Sequence, residues 1–496
     1  MQQVATLETL DRPTTIELGD TRILLIRDGD LVHAFGAECP HAGAPLAEGA
    51  VCDGRIICPW HKASFSLRDG ALLEPPALEG LTRYPVTVEG GAVLVSPEPM
   101  PRTPSPDTTD PRTMLIVGAG AAGTAAACAL REFGFAGRIV LLGHEPGAPY
   151  DRTALSKFVL QGAMQPDAAP TLREDGFYDD QQIERLHDEA VALDPAARTV
   201  ARAGGGSIGY DAVLIATGGL PRAPDVPGGD LPHVHILRTR EDAAAILAAL
   251  RDKSTPVVIV GSGFIGLEAA SALREQDIPV TVVCPRDIPF EAQFGTELGT
   301  MFRRLHEQHG VRWLGGRKVA RIDDDCVTLD DGQRLPAGLV LAGLGITPAT
   351  GFASGLARTP DGGIIVDGAM RAADGVFAAG DVARLPLGRH DNQRVEHWRV
   401  AQQHGRAAAA GMLGRTAPPP QTPFFWTYHY GKRYEYIGHP QEFDQVEIDG
   451  DFDAGEFLAS LRQGGALVGL VACGREAQTA AMIARPPFAP PAFAAE

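Results

Sequence analysis

The segments Gly118-Ala119-Gly120-Ala121-Ala122-Gly123 and Gly261-Ser262-Gly263-Phe264-Ile265-Gly266 each follow a short apolar run, Thr113 to Val117 and Pro256 to Val260. Each then leads into a helical pattern, alanine-rich after the first loop and beginning near Leu267 after the second. One Gly-x-Gly-x-x-Gly is a weak signal, because any tight strand-to-helix turn can produce it. Two, separated by the length of a nucleotide domain, predict two βαβ folds in one chain. The glycines permit a tight turn and let phosphate oxygens reach backbone N–H groups at the positive end of a helix, so each loop is a candidate pyrophosphate site.

A second constellation lies ahead of these loops. Cys39-Pro40-His41 and Cys58-Pro59-Trp60-His61 place a Cys-x-His before a Cys-x-x-His, supplying two thiolates and two imidazoles. That set suits a Rieske [2Fe–2S] cluster, with Cys39 and Cys58 on one iron and His41 and His61 on the other. The competing readings are a tetrahedral zinc site and plain buried core. The repeated order thiol, proline, imidazole and the turn residues Gly43, Ala44 and Pro45 favour the cluster. In Rieske proteins of the quinol-oxidising type an extra Cys in each loop forms a disulfide. Here those positions are Ala44 and Trp60, so the resemblance is to the soluble, lower-potential ferredoxin type.

At 496 residues the chain is too long for one core and predicts about three or four domains. Its net charge is −18, and the first hundred residues carry 7 Lys/Arg against 14 Asp/Glu, which disfavours nucleic acid and suits a basic redox partner. Met1 to Leu10 has no basic start or apolar run, and no stretch reaches the roughly 18 apolar residues of a membrane helix. The other five cysteines, Cys52, Cys128, Cys284, Cys326 and Cys473, are scattered without a close pair, which fits a reducing, cytoplasmic compartment and argues against an adjacent redox dithiol.

Further markers make the first nucleotide fold a flavin site. Ala216-Thr217-Gly218-Gly219 ends the strand Val213 to Ile215, and Gly375-Val376-Phe377-Ala378-Ala379-Gly380-Asp381 is a strand closing on Gly-Asp. Asp381 there is placed to accept from flavin ribityl hydroxyls, although an Asp after Gly is more often a turn or a cap. With Pro149-Tyr150-Asp151-Arg152, Leu155-Ser156-Lys157, Thr347-Pro348-Ala349-Thr350-Gly351-Phe352 and Glu396-His397-Trp398, the chain from Met114 to about Asp451 resembles the flavoprotein reductases that include apoptosis-inducing-factor-like proteins and the ferredoxin and rubredoxin reductases of oxygenase systems. With the Rieske module in front, it is most similar to the Rieske-bearing apoptosis-inducing-factor-like proteins.

The resemblance implies FAD at Gly118, Gly120 and Gly123 and NAD(P)H at Gly261, Gly263 and Gly266. It also implies that Lys157 sits beside the flavin and pairs with Glu268, a cation there favouring the anionic reduced ring. Arg152, Val191, Arg222, Asp381 and Trp398 match positions that meet FAD in the family, Trp398 as an aromatic wall. Two positions depart from the pattern. After the strand Ile139 to Leu142 the acid expected for the adenosine ribose is replaced by His144, with Glu145 beside it. After Val280 to Val283 the expected acid is Cys284, followed by Pro285 and Arg286. An acid there would bond the 2′-hydroxyl of NADH, whereas Arg286 can pair with a 2′-phosphate, so tolerance of or preference for NADPH is expected.

The expected architecture is multidomain: a small all-β Rieske domain, then an α/β flavoprotein reductase with two dinucleotide-binding domains, then a C-terminal α+β domain. Its divisions are residues 1–97 for the Rieske domain, 98–112 for a Pro-rich linker, 113–235 and 346–416 for the two parts of the FAD-binding domain, and 236–345 for the NAD(P)H-binding domain. Residues 417–485 read as an interface or dimerisation domain, rich in aromatics from Phe424 to Tyr436, and 486–496 as a disordered tail. The linker is read as semi-stiff, its reach setting how far the cluster travels. The expected function is a cytoplasmic reductase that passes electrons from NAD(P)H through FAD to its own cluster. From there they go to an external acceptor, an oxygenase, cytochrome or small carrier, or a small molecule. A redox-sensing flavoprotein whose NAD(P)H binding controls a dimer, and reverse flow from the cluster, are the alternatives.

Overall fold

The computed structural model describes residues 1–101, 110–387, 390–418 and 422–484. Most of the linker and all of the 486–496 tail therefore lie outside the described residues. The N-terminal domain is built from three antiparallel sheets, with strand orders Gln2–Thr6, Ala92–Val95, Val86–Glu89; Thr14–Leu18, Thr21–Asp28, Leu31–Gly36; and Ala50–Cys52, Arg55–Ile57, Ser64–Ser66, Leu72–Glu74. Thr21–Asp28 buries four residues in a row rather than alternating. Leu24 and Ile26 face the core that also holds Cys39 and Cys58, while Ile23 and Leu25 face a second core, so the period of two survives between two apolar layers.

The first nucleotide fold is a six-stranded sheet in the order Ile183–His187, Arg138–Gly143, Thr113–Val117, Ala212–Ile215, Val376–Ala378, Arg371–Ala373, parallel except for its last pair. The second is a five-stranded parallel sheet, Val234–Ile236, Leu339–Ala342, Val257–Val260, Val280–Cys284, Arg312–Gly315. In both, the strand before the glycine loop has neighbours on either side, which places the loop at a topological switch point, where open α/β sheets take their ligands. The second helix begins at Phe264, ahead of the expected start near Leu267. Ala121–Glu132 and Phe264–Arg274 start directly after the middle glycine, so Gly123 and Gly266 already lie inside the first turn.

Trp398–Met412 packs on Ala121–Glu132 so closely that a Cβ on Gly405 would lie 2.2 Å from the Ala122 carbonyl oxygen. The C-terminal part is a five-stranded antiparallel sheet, Phe424–His429, Lys432–Gly438, Ala466–Cys473, Glu456–Gln463, Gln445–Asp451, followed by the helix Glu476–Ala484. Among the described residues no helix is long and apolar enough to cross a membrane.

Candidate functional site

The two glycine loops repeat one geometry. Gly118 and Gly261 have φ of 109° and 108°, and a Cβ on either would strike the carbonyl of Ala216 or Gly343 at 2.3 and 2.4 Å. Gly123 and Gly266 are packed against the carbonyls of Gly118 and Gly261. The middle glycines differ: Gly120 has nothing within 4 Å of a Cβ, and Gly263 only the Gly343 carbonyl at 4.0 Å. First and third glycines thus tighten the turn, while the second leaves open backbone at a helix N-terminus, the cradle a pyrophosphate requires.

Around the first loop, Asp381 is the middle residue of the turn Gly380–Val382, with one carboxylate oxygen 4.0 Å from Arg238. Burial pushes its carboxyl up from the ordinary range. Trp398 opens its helix with the indole Nε1 buried and without a partner, an orphan donor of the kind a bound cofactor satisfies. Arg152 pairs with Glu145 and donates to the Arg238 carbonyl at 2.9 Å, and Tyr150 donates to Glu145 at 2.8 Å. Glu145 is thereby fixed beside the position where the adenosine acid was expected. Val191 is the extra residue where Ala190–Asp194 slips register against Thr199–Arg202, so its backbone groups are released from the ladder. Arg222 is exposed, its backbone N–H bonded to Gly345 and its Nε 3.2 Å from Thr347 Oγ1. Past the second loop, Arg286 is exposed after Val280–Cys284, while neighbouring Asp287 is taken by Arg303 at 2.5 Å.

Lys157 and Glu268 come together. Lys157 stands on a one-turn π-helical segment, Leu155–Val159, and its Nζ is 3.1 Å from Glu268 Oε2 on the second-loop helix. Both are nearly sealed from solvent, at 6% and 3% exposure, so neither is the solvated surface group that a lone Lys or Glu usually is. Two partners escaped the sequence reading: Ser156 Oγ donates to Glu268 Oε2 at 2.5 Å and Thr427 Oγ1 to Oε1 at 2.6 Å. Burial pushes His429 down to about 3, so it is neutral, and its Nε2 lies 3.0 Å from Thr427 Oγ1. Because that hydroxyl gives its hydrogen to Glu268, His429 is the donor to it. Ser156 was visible only as the middle residue of Leu-Ser-Lys, and Thr427 only as one polar residue in an aromatic strand.

The four cluster candidates gather in the Rieske domain as two pairs. The Cys39 thiol bonds to Cys58 and the Nδ1 atoms of His41 and His61 face each other at 3.1 Å. That bond from Cys39 holds the Cys58 thiol at about 7, with help from the backbone N–H groups of His61 and Trp60. Among the described residues no group of three or more His, Cys, Asp or Glu converges as on a single ion. Separate thiol and imidazole pairs fit two irons and fit one tetrahedral zinc poorly. The loops are short and tied, with the N–H of Cys39 bonded to Ala44 and that of Cys58 to Ala63. Ala44 is buried, and Trp60 is 38% exposed.

His61 and Lys157 meet on one indole within this chain. The His61 ring lies 5.1 Å from that of Trp426, and Lys157 Nζ sits 4.7 Å from the centre of the same indole. Phe425, next along the strand, packs on Phe264 of the second glycine loop and on His397. The aromatic strand read as a candidate dimer interface thus also makes contacts inside one polypeptide.

Comparison with known proteins matches the Pyridine nucleotide-disulphide oxidoreductase family over residues 112–405 and the Rieske [2Fe-2S] domain over residues 1–85. Apoptosis-inducing factor 3 of Mus musculus is 35% identical over 471 residues, covering 90% of this chain and 76% of that protein. The biphenyl dioxygenase system ferredoxin--NAD(+) reductase component of Paraburkholderia xenovorans (strain LB400) is 36% identical over 357 residues, 71% of this chain and 86% of that one. Among solved structures, the ferredoxin reductase for the CYP199A2 system from Rhodopseudomonas palustris superposes with a TM-score of 0.70 at 33% identity, covering 73% of this chain and 91% of the other.

Proposed function

The chain belongs to the pyridine nucleotide-disulphide oxidoreductase family and carries a Rieske domain, which makes it an NAD(P)H-dependent flavoprotein oxidoreductase, and we propose that it passes electrons from NAD(P)H through FAD to its own cluster and on to an external acceptor. Bound flavin supplies the exchange between a hydride and single electrons, the conversion that a nicotinamide and an iron–sulfur cluster need between them. The observation that carries the reading is the unbroken contact from Lys157 through Trp426 to His61.

The side chains take defined parts in this proposal. Gly120 and Gly263 leave open the helix N-termini that would hold the two pyrophosphates. Asp381 and Trp398 would hold the flavin ribityl and ring, with Arg152, Val191 and Arg222 along the rest of it. Lys157 presents a cation where reduced flavin carries negative charge, and Glu268, clamped by Ser156 and Thr427, fixes that cation in place. Cys39, Cys58, His41 and His61 would ligate the cluster. Arg286 would read the ribose end of the nicotinamide cofactor. The acceptor is proposed to be a protein of an oxygenase system or another one-electron carrier, in keeping with the oxygenase-system reductases among the relatives. A cytoplasmic setting is supported by seven cysteines of which none is in a disulfide.

Anaerobic stopped-flow reduction with NADH and with NADPH, following flavin and cluster absorbance separately, tests the proposal. A flavin phase followed by a cluster phase is expected, and His61→Ala should abolish the second while leaving the first. A cluster that stays oxidised in the wild-type protein with full iron and sulfide would sink it.

A further inference from the structure

Lys62 follows the ligand His61 directly and is completely buried. Its backbone holds φ of 62°, the left-handed region that a lysine enters only when its surroundings enforce it. The side chain bridges the Rieske loop and the C-terminal part of the chain. Its Nζ donates to the Pro59 carbonyl in the ligand loop at 2.6 Å, to Glu435 Oε1 in the C-terminal sheet at 2.9 Å, and to the Glu476 carbonyl at the start of the last helix at 3.2 Å. An ammonium has three hydrogens, and all three are used. Glu435 is 2% exposed, accepts a further hydrogen bond from Thr479 and pairs with Arg433 at 3.4 Å.

A second set of bonds closes the joint from the flavin side. Arg399, on the helix that Trp398 opens, reaches the Pro75 carbonyl at 2.7 Å, the Lys62 carbonyl at 3.3 Å and Glu74 at 3.5 Å. Gln403 bonds Glu74 at 2.7 Å, and Arg406 reaches the Leu72 carbonyl at 3.2 Å. Undocking would break the three hydrogen bonds of the ammonium and leave Glu435, buried in the C-terminal sheet, without this cation, which opposes free swinging of the domain. The bond to Pro59 also makes Lys62 a direct tie on the loop that carries Cys58 and His61.

We propose that Lys62 is a positioning residue that holds the Rieske loop docked on the flavin face, so that electrons cross between the centres with the domain in place instead of through its travel on the linker. The inference rests on the electron path proposed above and adds to it the geometry by which that path is kept closed.

Lys62→Met in the full-length holoprotein tests it. The flavin phase should keep its wild-type rate and the cluster its absorption, circular dichroism and EPR signature. The cluster phase should slow by about tenfold or more, the effect of ~1.4 kcal/mol lost from the docked state. Hydrogen exchange should quicken at the strand Leu72–Glu74 and along Trp398–Met412, a readout independent of turnover. If Lys62→Met fails to assemble its cluster, Glu435→Gln is measured instead, with the same pattern expected at smaller amplitude. A wild-type cluster phase in the variant measured overturns the proposal. So does a wild-type protein whose cluster phase slows when a short Gly-Ser insertion lengthens the chain between residues 101 and 110, since transfer by travel depends on linker length and transfer in place does not. Failure of the electron path itself reads differently: the wild-type cluster is then never reduced by NAD(P)H.

Discussion

The imidazole of His61 and the indole of Trp426 face each other across the boundary between the Rieske domain and the reductase body, 5.1 Å apart and tilted by 32°. Lys157 Nζ lies 4.7 Å from the centre of the same indole. One side chain therefore touches both a proposed cluster ligand and the cation proposed to face the flavin. A cation–π contact in a desolvated site is worth ~2 kcal/mol, so the indole also helps to hold Lys157 in position. Trp426→Leu should slow cluster reduction by about tenfold. The preceding flavin phase should change less, and Trp426→Phe should recover part of the loss. Stopped-flow traces at the two absorbance bands measure both.

Thr427 stands behind this arrangement. Its hydroxyl donates to the buried Glu268 carboxylate at 2.6 Å, and a hydrogen bond to a charged group contributes about 1.5–3 kcal/mol. Thr427→Val keeps the shape and removes the donor, leaving Glu268 with Ser156 and Lys157. Flavin release in urea should then occur at a lower midpoint, and Thr427→Ser should restore it. An unchanged midpoint in Thr427→Val would mean that Glu268 is held by Ser156 and Lys157 alone.

Local motifs made much of this fold legible, and the limits of that reading are physical. The glycine loops announce themselves because only glycine tolerates φ near 109° with a carbonyl 2.3 Å from the would-be Cβ, as at Gly118. Lys157 and Glu268, 111 residues apart, carry no local signature that joins them, and only the family resemblance paired them. Lys62 was invisible as a functional residue: a lysine after a ligand histidine reads as a solvated charge, and its partner Glu435 lies 373 residues away. Trp426 was legible as aromatic but not as a bridge, since strand periodicity says which face a ring occupies and nothing about which domain covers that face.

The proposed reading of the nicotinamide cofactor by Arg286 is open to a direct test. Arg286 is exposed at the end of Val280–Cys284, where an acid would repel a 2′-phosphate, and the nearest acid in sequence, Asp287, is committed to Arg303. Arg286→Ala should lower kcat/KM for NADPH by about tenfold, while kcat/KM for NADH stays within about twofold. Initial rates of flavin reduction at varied nucleotide concentration measure the pair. A wild-type preference for NADH of about a hundredfold, close to 3 kcal/mol, would remove Arg286 from this role.

Asp361 ties the returning segment of the first nucleotide fold to Arg394, four residues ahead of Trp398. Burial works to raise its carboxyl, but Arg384 at 2.5 Å, Thr359 at 2.6 Å and the Gly363 N–H outweigh it and hold Asp361 well below the ordinary carboxylate range. Arg394 also pairs with Asp361, at 3.2 Å, and bonds Glu396 at 2.5 Å, just ahead of Trp398. A carboxylate whose folded value lies below its unfolded one stabilises the fold fully above about pH 4 and loses that contribution as pH falls from there toward the folded value. Asp361→Asn should therefore cost ~1–3 kcal/mol at neutral pH, seen as an earlier urea midpoint and faster loss of flavin. The gap between wild type and variant should hold down to about pH 5 and narrow through pH 4 and below. A gap that is the same at every pH would assign the loss to packing at this position and not to the ionised carboxylate.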